Sequence, residues 1–117
     1  MLELERFFSA FSDKTRLQIV FLLLAKGEST VDDISKELRK PQSLVSHHLS
    51  YLKGCGIVRV RKNGKYSYYS IDSEDTKKLI DLSVKIVKNH SQSILSCEVL
   101  DKELSKDFIN NRKDHFT

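Results

Sequence analysis

Apolar residues recur at helical spacing almost from the first residue of this chain. Leu4, Phe7, Phe8 and Phe11 line one stripe and predict a helix over about Leu2 to Phe11. The stretch "SDKTRLQIVFLLLAKG" predicts a second helix, with Ser12 as its N-cap and Gly27 where left-handed backbone ends helices. "STVDDISKELRK" predicts a third, opened by Ser29 or Thr30, with Asp32 and Asp33 set against the positive end of its dipole. Val31, Ile34 and Leu38 form its buried stripe. Pro41 cannot continue that helix but suits the start of the next, predicted over Gln42 to Lys53 and stopped by "GCG".

The period then changes from three or four to two. "VRVRKNGKYSYY" alternates apolar and polar residues around Asn63-Gly64, which predicts a β-hairpin. With a type I′ turn at that pair, Lys62 faces Lys65, Arg61 faces Tyr66 and Arg59 faces Tyr68. Val58 and Val60 share the inward face with Tyr69 and Ser67. From about Ser73 helical spacing returns, with Leu79, Leu82, Ile86, His90 and Ile94 on one stripe as far as Ser96. The remainder reads as helical and then frayed. The expected architecture is mainly α with a small β-hairpin (α+β), a domain over residues 1–97 and a helical extension over 98–117.

Bulk properties narrow the class. Hydrophobic residues make up 39% and charged residues 31%, which suits a soluble globular protein rather than a disordered one. The longest apolar run, "IVFLLLA" from Ile19, is far short of the ~18 residues that cross a bilayer, so no membrane partner is expected. The acidic start "MLELERFFSAF" lacks the order of a signal peptide, and the expected location is cytoplasmic. Cys55 and Cys97 are too few and too scattered for a disulfide framework or a four-thiolate zinc site.

Charge is unevenly placed. Residues 36–66 hold eight Lys or Arg against one acid, Glu37, whereas residues 73–117 hold eight of each sign. A positive block beside a neutral one points to a polyanion. Two helices joined by a tight turn and followed by a basic hairpin have the order of a winged helix-turn-helix. There the second helix enters the major groove of double-stranded DNA and the wing reaches over the adjacent backbone. The exposed face of that helix reads Gln42, Ser43, Ser46, His47 and Ser50, side chains small or amide-bearing enough to approach base edges. His48 shares the side of Leu44, Val45 and Leu52 and reads as structural. On the wing, Lys62 and Lys65 suit phosphates, and Arg61 and Tyr66 stand on the displayed face.

The stretches "SDKTRLQIVFLL", "SLVSHHLSYLKGCGIV" and "RKNGKYSYYSI", in this order and spacing, resemble the ArsR/SmtB family of bacterial and archaeal repressors over roughly residues 4–95. The resemblance implies a homodimer built from the first and last helices. It also implies an imperfect palindromic operator and repression relieved by an inducer, usually a metal ion.

The family's metal sites are where this sequence departs. One places cysteines near the start of the third helix, where this chain has "ESTVDDI", with Thr30 and Asp32 in place of thiols. Another places Asp and His early on the last helix, where "DSEDTKK" has no histidine. His90 and Cys97, seven residues apart, remain as candidate ligands for zinc, copper or another borderline metal, with Asp101 a further turn on. Equally, His90 and Cys97 can simply line a helical dimer interface. A regulator without a metal, sensing thiol oxidation through Cys55 and Cys97 or controlled by abundance alone, is a second reading. A winged-helix module that binds protein is a third, opposed by the basic block. No nucleophile–base pair, phosphate loop or paired carboxylates suggest an enzyme.

Overall fold

The computed structural model describes residues 1–95. Five helices and one antiparallel hairpin follow in the order α1 (Leu2–Ser9), α2 (Lys14–Lys26), α3 (Val31–Leu38), α4 (Gln42–Gly54), β1 (Val58–Asn63), β2 (Tyr66–Ile71) and α5 (Glu74–Leu95). Met1–Lys77 forms one compact unit, and a second begins at Lys78. The extension expected over 98–117 lies outside the described residues.

Local chemistry accounts for most boundaries. Thr30 opens α3 with a capping box: its hydroxyl accepts from the Asp33 N–H, and the Asp33 carboxylate accepts from the Thr30 N–H. Gly27 ends α2 at φ 80. The N-cap of α2 is Asp13 rather than Ser12, because the Asp13 carboxylate accepts from the Arg16 N–H at 3.0 Å. Arg16 also caps the end of α1. Its Nε donates to the Ala10 carbonyl at 2.9 Å, satisfying an acceptor at the end of the helix, which stops at Ser9 instead of running to Phe11.

The core of the first unit is drawn from every element between α2 and β2. Ile19, Val20 and Leu23 of α2, Ile34 of α3, Val45, Leu49 and Leu52 of α4, then Ile57, Val58 and Ile71 are all buried. α2 packs on α3, α4 and β2, and α4 also meets β1. The last link is a short addition to the hairpin: Ser29 exchanges two backbone hydrogen bonds with Tyr69, at 3.0 and 2.8 Å. The segment between α2 and α3 is thereby tied to the free edge of β2.

The hairpin register differs from the sequence expectation. Asn63 pairs with Tyr66, Lys62 with Ser67, Arg61 with Tyr68 and Arg59 with Ser70. The turn is Gly64-Lys65, and of the two only Gly64 has positive φ, at 63. A type II′ turn puts its one left-handed residue first, and glycine takes that place more readily than asparagine. Each partner moves along by two residues, so the faces survive: Arg59, Arg61, Tyr66 and Tyr68 still share one side.

Candidate nucleic-acid interface

The turn between α3 and α4 is built from three consecutive residues. Arg39 adopts the left-handed conformation at φ 55, closing α3. The Lys40 N–H donates to the Ser35 carbonyl at 3.1 Å, and the Ser35 hydroxyl donates to the Lys40 carbonyl. Pro41 then sets φ −58 and ψ 144 as the N-cap of α4. Asp32 crosses the turn from the other side: one carboxylate oxygen accepts from Gln42 Nε2 at 2.9 Å and the other from Lys36 Nζ at 2.9 Å. The adjacent carboxylate holds the Lys36 amine above its ordinary range.

Along α4, Val45, His48, Leu49 and Leu52 are buried while Gln42, Ser43, Ser46, His47 and Ser50 are exposed. The expected polar face is therefore present as a surface. Leu44, grouped by spacing with the inward residues, is instead half-exposed at its flank. Gln42 differs from the serines because Asp32 already engages its amide.

His48 is 8% exposed and sits against the start of α2. Arg16 Nη1 lies 3.4 Å from His48 Nδ1, and Asp13 Oδ2 lies 3.8 Å from Nε2. A guanidinium can only donate, so Nδ1 is the acceptor and Nε2 carries the proton toward Asp13. Burial pushes the imidazole below its ordinary pKa; Asp13 opposes this, and Arg16 reinforces it. The guanidinium also lies 4.2 Å over the Tyr51 ring, so Arg16 ties α1, α2 and α4 together. Spacing along the chain carries no signal for this role, since His48 is 32 residues away.

The wing is basic, but its cations are not equivalent. Lys65 stands 5.6 Å from the Tyr66 ring centre, and Lys62 has no acidic partner among the described residues. Arg61 is paired: Nε and Nη2 donate to the two Glu28 oxygens at 2.9 and 3.0 Å, and its guanidinium lies 4.9 Å from the Tyr68 ring centre. The hydrogen bond from Arg61 holds the Glu28 carboxyl below its usual range. Charge counting over 36–66 passes over this pairing because Glu28 lies upstream of the block.

On α5, His90 is exposed and has non-helical backbone angles, φ −127 and ψ 21. Cys97 and Asp101 lie outside the described residues. Among the described residues, no three His, Cys, Asp or Glu side chains gather as a metal site, and no helix is long and apolar enough to cross a membrane.

A tight two-helix turn, a polar exposed face on its second helix and a basic hairpin define a winged helix-turn-helix DNA-binding protein. The likeness to known proteins is specific. Residues 13–60 match the family described as "Bacterial regulatory protein, arsR family". An uncharacterized HTH-type transcriptional regulator of Methanocaldococcus jannaschii is 47% identical over 75 residues, 64% of this chain and 84% of that one. A cadmium resistance transcriptional regulatory protein CadC homolog of Staphylococcus aureus is 39% identical over 68% of this chain, which spans 66% of its length. A homodimeric winged helix-turn-helix DNA-binding domain of Mycobacterium bovis superposes with TM-score 0.68 at 34% identity, over 75% of this chain and 80% of that one. HlyU of Vibrio cholerae gives 0.65 at 30%, over 73% and 91%. This chain belongs to the ArsR family of DNA-binding transcriptional regulators.

Proposed function

We propose that the protein is a cytoplasmic, homodimeric repressor, acting by binding rather than catalysis, in which α4 selects the sequence and the wing supplies general affinity. The observation that carries this reading is the division of the surface. Ser43, Ser46, His47 and Ser50 expose short polar groups on α4, and Lys62 and Lys65 expose charge at the hairpin tip. Short side chains meet base edges closely; flexible ammonium groups meet phosphates without regard to sequence. Gln42, held by Asp32, and Tyr66 flank the two sets. The homodimer draws support from exposed apolar residues on α1 (Leu2, Leu4, Phe8) and on α5 (Leu82, Ile86), and from the homodimeric relative.

Two copies related by a twofold axis would set the α4 helices in successive major grooves, about 34 Å apart. Selection of duplexes from a random library by the full chain should enrich an imperfect palindrome with half-sites about one helical turn apart. Enrichment of a lone half-site, or of nothing, would contradict the reading. For an inducer, the ligands proposed are His90 and Cys97, with zinc or copper(I) as the metal. His90→Ala and Cys97→Ser proteins should bind the selected duplex but no longer release it when either metal is added. Release as in the wild type would show that His90 and Cys97 are not the ligands, and a wild type that neither metal releases would leave a metal-independent regulator.

A further inference from the structure

We infer that Glu28 is a positioning residue for the wing: in the DNA-free protein its carboxylate occupies the guanidinium fork with which Arg61 holds a backbone phosphate in the complex. The inference rests on the reading that the wing meets the DNA backbone. A planar guanidinium takes a carboxylate and a phosphate through the same pair of parallel N–H groups, so one anion can replace the other. The Glu28–Arg61 pair already has that two-point geometry, at 2.9 and 3.0 Å.

Both partners are set in place by the fold. Glu28 immediately precedes Ser29, whose two backbone bonds to Tyr69 fix the chain beside β2. Arg61 lies directly across the ladder from Tyr68, whose ring lies beneath its guanidinium. Among the described residues, Arg61 is the one cation of the wing hydrogen-bonded to a carboxylate: Arg59 acts on Glu28 only through space and donates to the Ser70 hydroxyl, Lys65 lies over Tyr66, and Lys62 pairs with no acid. The two side chains stay 54% and 41% exposed, so the fork is open to a competing anion. An ion pair at such a surface is weak and salt-screened, and can be exchanged. The Arg61 fork is thereby occupied in the free protein by a competitor that DNA must displace.

Equilibrium binding of the full chain to a mixed-sequence duplex, across a range of salt, tests the exchange. Glu28→Gln should tighten binding several-fold. Arg61→Gln should weaken it and flatten the dependence of log K on log salt by about 0.9, the loss of one phosphate contact. In the Arg61→Gln background, Glu28→Gln should no longer tighten binding. If Glu28→Gln alone leaves affinity unchanged or weakens it, the exchange is wrong. Equal tightening with and without Arg61 also overturns it, because Glu28 then acts only by repelling DNA. A wild-type protein that fails to bind duplex at all overturns the functional reading itself, and this inference with it.

Discussion

His47 and His48 are neighbours in sequence with opposite surroundings. His47 is exposed and free to meet a base edge, whereas His48 is buried and bridges α4 to Arg16 and Asp13 of the α2 start. Burial holds the folded-state pKa of His48 below its ordinary 6.5, so the unfolded chain takes up the proton first as pH falls. His48 therefore favours folding fully above about pH 6.5, and this contribution is lost as pH drops from there through the depressed folded value. Protonation would also set an N–H on Nδ1 against the Arg16 guanidinium. Urea unfolding from about pH 7.5 to 5 should show stability falling on acidification, with a flatter profile in His48→Gln. An unchanged profile would remove His48 as the cause. The burial of His48 was legible from its place in the apolar stripe. Its partners were not, because periodicity along one helix carries no information about a contact 32 residues away.

At the scale of elements, sequence signals worked best where one residue type has a single conformational use. Pro41 at the start of α4 and Gly27 at the end of α2 stand where local chemistry puts them, and of Ser29 and Thr30 it is Thr30 that caps α3. Where two neighbours suit the same task, the pattern along the chain did not decide between them. Ser12 and Asp13 are both good caps, and Asp13 is the one that accepts the Arg16 N–H. Asn63 and Gly64 both tolerate turns, and the ladder settled on Gly64-Lys65. The kink at His90 has no proline or glycine to announce it, and we have no physical account of it. Gly64 gives a direct check on the turn. A Cβ built there meets nothing within 4 Å, so Gly64→Ala should destabilise by the left-handed backbone penalty alone, about 1–2 kcal/mol. A neutral substitution would show that the turn can change type freely. By contrast, Leu52→Ala empties a fully buried site on α4 and should cost about 2–5 kcal/mol in the same unfolding assay.

For the whole molecule, the winged arrangement and its exposed polar and basic faces were legible because they follow from element order and face alternation. The electrostatics were only half legible. A run of eight cations counts charges but not partners, and Glu28 and Asp32, both outside the run, engage Arg61 and Lys36. The proposed dimer belongs to this scale too. Leu82 and Ile86 remain about half exposed on α5, an apolar surface suited to a second copy. Leu82→Glu with Ile86→Glu should sediment as a monomer at micromolar concentration and lose its preference for a palindrome over a half-site. A dimer that persists would place the interface elsewhere. The central division between α4 and the wing is tested most directly by comparing His47→Ala and Lys65→Ala on a selected operator and on mixed duplex, each over a range of salt. His47→Ala should lose about 1–3 kcal/mol on the operator and little on mixed DNA. Lys65→Ala should weaken both duplexes alike and lower the salt slope by about 0.9. If Lys65→Ala alters sequence preference while His47→Ala weakens both duplexes equally, the roles assigned to α4 and the wing are contradicted.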